Sequence, residues 1–142
     1  MKSIGEVQKE IVEEFKAFDD WMDKYNYLIE LSKDLAPIDV KYKNNEYLIR
    51  GCQSKVWLNA EFADGKIVFT ADSDALIVKG IITLLIRVLS YRTPKEIMDT
   101  DLHFIDEIGL RQNLSPTRSN GLLAMVKQMK LYAIAYDAKQ NM

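Results

Sequence analysis

The chain is predicted to be α+β, with helices packed on a small three-stranded antiparallel sheet. Three observations lead there. Apolar residues recur at helical spacing toward both ends of the sequence. Short strand-like runs cluster between residues 47 and 70, joined by links too short for parallel crossovers. Helical and extended runs are segregated along the chain, the order that builds helices on one sheet rather than a doubly wound fold.

The first helix is announced by Ser3 and Glu6 at capping-box spacing. Ile4, Val7, Ile11, Phe15 and Phe18 then recur at steps of three and four, with Glu10, Glu13, Glu14 and Lys16 on the solvated face. Asp19 or Asp20 caps a second helix that turns Trp21, Met22, Tyr25, Leu28 and Ile29 to the core. It ends near Asp34 because Pro37 follows. Residues 36–46 read as a loop. Residues 47–49, 55–62 and 67–70 are the three strands, and Asp64-Gly65 is a hairpin turn between the last two. Trp57 falls on the face opposite Val56 and Leu58, so both sheet faces are covered near residue 52.

Asp72 or Ser73 is the expected N-cap of an apolar central helix over 75–89. Thr93-Pro94-Lys95-Glu96 combines a cap, a proline at the first helical position and a glutamate three after the cap, for a short helix to about residue 99. One helical turn is expected at 104–106, with a loop after Gly109. Ser115-Pro116 opens the last helix, whose buried stripe is Leu122, Met125, Val126, Met129, Ala133 and Tyr136. The six methionines read mostly as core fillers. No repeat, low-complexity segment or linker interrupts the chain, so residues 1–142 are read as one domain with one core.

Composition removes several function classes. Apolar residues make up 48% and charged residues 28%, the balance of a globular protein in water. The net charge of −2 and the lack of a basic stripe speak against nucleic acid. The most apolar run, 75–89, carries Lys79 and Arg87 and is too short to span a bilayer, so no membrane partner is expected. Residues 1–6 lack the apolar stretch of a signal peptide. A single cysteine offers no disulfide framework, and the simplest compartment is a reducing cytoplasm.

That cysteine is the first chemical candidate. Cys52 follows Gly51 and precedes Gln53 and Ser54, between two extended runs, which puts the thiol at a loop tip. Loops on rigid scaffolds are where reactive groups concentrate. The competing reading is a packing cysteine, since free thiols often only fill space. Alone in the chain, it can form neither an internal disulfide nor a multi-cysteine metal site. The second candidate is Arg118, in the first turn of the last helix, where unpaired N–H groups favour an anion. An ordinary ion pair is its alternative. Asp72-Ser73-Asp74 reads as helix capping, with a contribution to a partner surface left open. His103 is the lone histidine, and no oxyanion signature near Cys52 supports a Cys–His hydrolase.

Taken together, four blocks resemble the SufE family: Gly51-Cys52-Gln53-Ser54-Lys55-Val56-Trp57-Leu58, residues 72–80 from Asp-Ser-Asp onward, Thr93-Pro94-Lys95-Glu96-Ile97, and residues 114–122 around Arg118-Ser119-Asn120-Gly121. Order and spacing match, and the resemblance spans about residues 4–136. It implies a fold akin to IscU-type scaffolds. It implies a sulfur acceptor that takes persulfide sulfur from a SufS-type cysteine desulfurase and passes it to an iron–sulfur scaffold complex, stimulating the desulfurase. Pyridoxal phosphate would belong to that partner, and the chain itself would need no cofactor or metal. Cys52 matches the acceptor cysteine. Arg118 matches the family arginine and would stabilise thiolate or persulfide. Gly51, Gln53, Ser54 and Asp74 would meet the partner. The chain would be a transfer partner rather than a stand-alone enzyme, acting as a monomer or weak homodimer. A docking module with an inert cysteine is the alternative.

Overall fold

In a computed structural model, which describes residues 1–141, the first two helices and two later ones start where capping residues stand. Helix α1 spans Ile4–Lys16, and Ser3 and Glu6 form the reciprocal capping box. Helix α2 spans Trp21–Ser32, with the Asp20 carboxylate accepting from the Asp23 N–H. The expected loop after it contains one 3-10 turn at Val40–Tyr42, tied by the Asp39 carboxylate.

Strands β1 (Val56–Ala63) and β2 (Lys66–Ser73) pair antiparallel, Val56 opposite Ser73 and Ala63 opposite Lys66. Asp64 and Gly65 both have positive φ, 53° and 78°, as a two-residue turn of this hand requires. The sheet has two strands, so the expected third is corrected. Residues 47–49 make a single bridge, Leu48 to Trp57, with hydrogen bonds from Ile49 N to Val56 O and from Leu58 N to Tyr47 O. The turn at Asn44 precedes this segment and Gly51 follows it, leaving no length for a ladder. Beyond it, two tyrosine hydroxyls take over the open edge of β1: Tyr136 donates to Ala60 O at 3.0 Å and Tyr132 to Leu58 O at 3.4 Å. Such cover satisfies an edge that would otherwise invite another strand.

Helix α3 spans Leu76–Leu89 and carries the densest buried set, including Ile81, Ile82, Leu84, Leu85, Val88 and Leu89. It lies against α2 so closely that a Cβ on Gly80 would stand 2.2 Å from the Leu28 carbonyl oxygen. Its expected cap is corrected: Ala75 occupies the N-cap with no side-chain bond. Ser73 Oγ accepts from Ala75 N, while the Asp72 carboxylate pairs with Lys43 and Lys79. The sheet's pull keeps residues 72 and 73 in β2, so the helix starts later than the propensities suggest. Leu76 is consequently left exposed.

Helix α4 (Pro94–Asp99) has the expected capping box from Thr93 and Glu96. Helix α5 spans Phe104–Glu107, and Gly109, at φ 77°, turns the chain into a further helical turn α6, Leu110–Asn113, in place of the expected loop. Helix α7 runs Pro116–Gln140, capped by Ser115 and burying Leu122, Met125, Met129 and Ala133. Val126 and Tyr136 are half-buried. Among the methionines only Met125 and Met129 are buried, Met1 and Met22 are exposed, and Met142 lies outside the described residues. A long flexible side chain at a helix start such as Met22 is not held inward when its neighbours Trp21 and Tyr25 cover that surface.

Candidate functional site

The Cys52 loop hangs between two anchors. On one side Ile49 N donates to Val56 O at 2.8 Å. On the other, Lys55 N donates to the Asp74 carboxylate at 3.0 Å, and Lys55 O accepts from Ser73 Oγ at 2.8 Å and from Asp74 N at 3.2 Å. Residues 50–54 between these anchors have no ladder of their own. Gly51 sits at φ 93°, a left-handed conformation that a side chain would strain. Asp74 is thus not a helix cap but the tie that closes the loop.

Cys52 is half-buried against the start of α7. Its Sγ lies 3.5 Å from Gly121 O, and a Cβ added at Gly121 would lie 3.5 Å from the sulfur. The sulfur borders a cavity of about 430 Å³ whose wall includes Gln53, Ser54, Val78, Ser115, Arg118 and Met125. Burial pushes the Cys52 thiol above its ordinary range. Burial and the neighbouring Gly121 carbonyl both favour the neutral thiol over the thiolate.

Four of the sequence candidates, Cys52, Gln53, Ser54 and Arg118, come together at this cavity. Gly51 is exposed beside it. Arg118 stands in the first turn of α7, its backbone N–H on Ser115 Oγ at 3.3 Å, and its side chain has no ion pair among the described residues. The ordinary ion-pair alternative is therefore not what the fold adopts. His103 pairs with Glu107 at 2.9 Å on the surface and is no part of the cavity. Gly121, Val78 and Met125 were not singled out from the sequence. For Gly121 a signal existed: glycine near a helix start, costing about 1 kcal/mol against alanine, marks a close approach. Val78 and Met125 carry no such mark.

The arrangement can hold one sulfur nucleophile, shield it on one side and present a cation and helix N–H groups to negative charge near it. Among the described residues no helix is long and apolar enough to cross a membrane.

Residues 9–133 match the family described as SufE, Fe-S metabolism associated domain. A curated relative, SufE-like protein 1, chloroplastic/mitochondrial, of Arabidopsis thaliana, is 39% identical over 132 residues, 92% of this chain. The chain spans 36% of that relative's length. The solution structure of a hypothetical protein from Thermus thermophilus superposes with a TM-score of 0.74 at 21% identity, over 91% of this chain and 94% of that one, and shares the α+β fold. The chain therefore belongs to the SufE family, whose domain is associated with iron–sulfur metabolism.

Proposed function

We propose that the protein is a sulfur carrier: Cys52 takes persulfide sulfur from a cysteine desulfurase and passes it to an iron–sulfur cluster scaffold, and this removal of sulfur stimulates the desulfurase. The observation that supports it most is a solitary thiol on a loop pinned at both ends and facing a cavity of about 430 Å³. Transfer is a thiolate displacement related to thiol–disulfide exchange. The Cys52 thiolate attacks the outer sulfur of the donor persulfide. A new S–S bond forms as the donor's breaks, and the donor cysteine leaves as thiolate with the bonding pair. No net oxidation occurs, and no second cysteine is present to collapse the product into an internal disulfide. Pyridoxal phosphate serves the desulfurase in releasing sulfur from free cysteine; the carrier step needs no cofactor of its own.

The resting site opposes this chemistry, because burial favours the protonated thiol and the thiolate is the nucleophile. Loop 50–54 therefore swings outward on docking, hinged at the Ile49–Val56 and Lys55–Asp74 bonds. At the cavity mouth Arg118 and the first-turn N–H groups of α7 favour thiolate and persulfide. Gly51, Gln53, Ser54 and Asp74 form the rim that the partner meets. A reducing compartment of the cytoplasmic kind keeps Cys52 ready, and the carrier works as a monomer or weak homodimer of one domain.

Incubation with a pyridoxal-phosphate cysteine desulfurase and cysteine, followed by intact-mass measurement, tests the reading. Cys52 gains one sulfur that a reductant removes. Cys52→Ser gains none and no longer stimulates the desulfurase; retained stimulation would instead identify a docking module with an inert cysteine. Equal hydrogen exchange of residues 50–56 with and without the desulfurase would argue against the outward swing.

A further inference from the structure

A second cavity, of about 340 Å³, lies on the other side of the Cys52 loop. It separates residues 46–50 from α7, with Tyr47, Leu48, Arg50, Lys127, Leu131 and Tyr132 in its walls. The two cavities share α7 as their floor. Gly121 and Met125 face the thiol side, and Ala124 and Gln128 face this one. The loop is the partition: a Cβ on Gly51 would meet Ala124 Cβ at 3.4 Å.

Leu131 in the groove wall belongs to an exposed apolar face of α7. Leu123, Leu131 and Ile134 are 47%, 46% and 49% exposed, and are the large apolar residues that α7 leaves in solvent. Leu123, Lys127 and Leu131 follow one another at i, i+4 spacing, so they form one stripe beside the groove, about 16 Å long out to Ile134. Scattered exposed leucines need no explanation, but three exposed apolar side chains on one helix face, with Lys127 among them and a concavity alongside, mark a mixed apolar and basic contact surface.

Charge narrows the choice of occupant. Arg50 and Lys127 in the groove, and Lys55 and Arg118 around the thiol, have no ion-pair partner among the described residues. Glu46 is the single carboxylate in the groove wall. A second copy of the chain would bring Arg50 and Lys127 against their own like in a two-fold contact. Nucleic acid does not suit leucines on a chain of net charge −2.

We propose that this groove is a second docking surface, filled by an acidic, apolar-flanked segment of the protein that donates sulfur to Cys52. The inference rests on the carrier reading. Arg50 belongs both to the groove and to the loop, so a segment seated there bears directly on the hinge of the segment that must open. The donor is the partner that meets the thiol in its closed state, and it is the one that needs this grip.

The test is the affinity for the desulfurase encoded by the same genome, measured by calorimetry at low and high salt. Lys127→Glu and Leu131→Ser should each weaken binding at least tenfold, wild-type affinity should fall with salt, and Lys95→Glu on α4 should bind as wild type. Residues 127 and 131 are exposed, and circular dichroism checks that both variants fold. Binding within twofold of wild type for both variants overturns the inference. So does sedimentation showing that the stripe joins two copies of the chain while desulfurase affinity is untouched. If wild type gains sulfur and the groove variants bind normally, the groove inference alone fails. If the variants bind poorly but wild type never gains sulfur, the carrier reading fails and the groove stands as a desulfurase contact.

Discussion

Helix α3 and loop 50–54 sit at opposite ends of the scale of commitment. On α3, eight residues are buried, and Gly80 brings the helix against the backbone of α2 with no room to spare. Loop 50–54 has exposed Gly51 and Gln53, a half-buried Cys52, and backbone hydrogen bonds only at its ends, its middle held by the weak contact of Cys52 Sγ with Gly121 O. Stability is unevenly spread in such a molecule, and segments that must move come from its low end. A carrier benefits from the division. The helices supply the cavity wall, and on the proposed reading it is the loop, with few bonds of its own, that moves.

That contrast can be broken deliberately. The largest effect should come from Gly80→Ala. The added methyl would overlap the Leu28 carbonyl, at 2.2 Å, and backbone cannot step aside as a side chain can. A loss of about 3 kcal/mol, read as a lower denaturant midpoint, follows from overpacking of this kind. A variant as stable as wild type would mean that α2 and α3 are less tightly joined than described. Asp74→Ala should act locally instead. It removes the acceptor for Lys55 N, so amide exchange at residues 50–55 should quicken about fivefold while the global midpoint barely moves. Equal exchange in both proteins would show that the Ser73 contact alone closes the loop.

The smallest effect is one of pH. Burial, the hydrogen bond to Glu14 and the charge of that carboxylate push the Tyr27 hydroxyl up to about 12. A raised acid favours its neutral form in the folded state. Its contribution is therefore complete below the ordinary tyrosine value, about 10, and is lost as pH rises through about 12. The stability advantage of wild type over Tyr27→Phe should shrink across that window. An advantage that stays constant would detach Tyr27 from Glu14, which also pairs with Arg87.

Local chemistry was the legible part of this molecule. Capping boxes at Ser3 and Thr93, the caps at Asp20 and Ser115 and the Asp64-Gly65 turn all lie where their residues announce them, because each is decided within four residues of chain. Gly51, Gln53 and Ser54, between two extended runs, likewise placed Cys52 on a loop. The failures share a different cause. Residues 47–49 have strand composition, yet the turn before them and Gly51 after them leave room for a single bridge, and tyrosine hydroxyls from α7 cover the edge of β1 beyond it. Asp72 and Ser73 look like caps, but the register of β2 claims them.

The sequence alone determined most element types, the lone thiol and the family, since those depend largely on residue identity and near neighbours. Only the tertiary structure decided that Gly121 and Arg118 share a cavity with Cys52, that Asp74 ties its loop, and that burial shifts the thiol further toward its neutral form. Those facts arise where segments 20 to 70 residues apart meet, and burial and hydrogen-bond partners exist only after they have met.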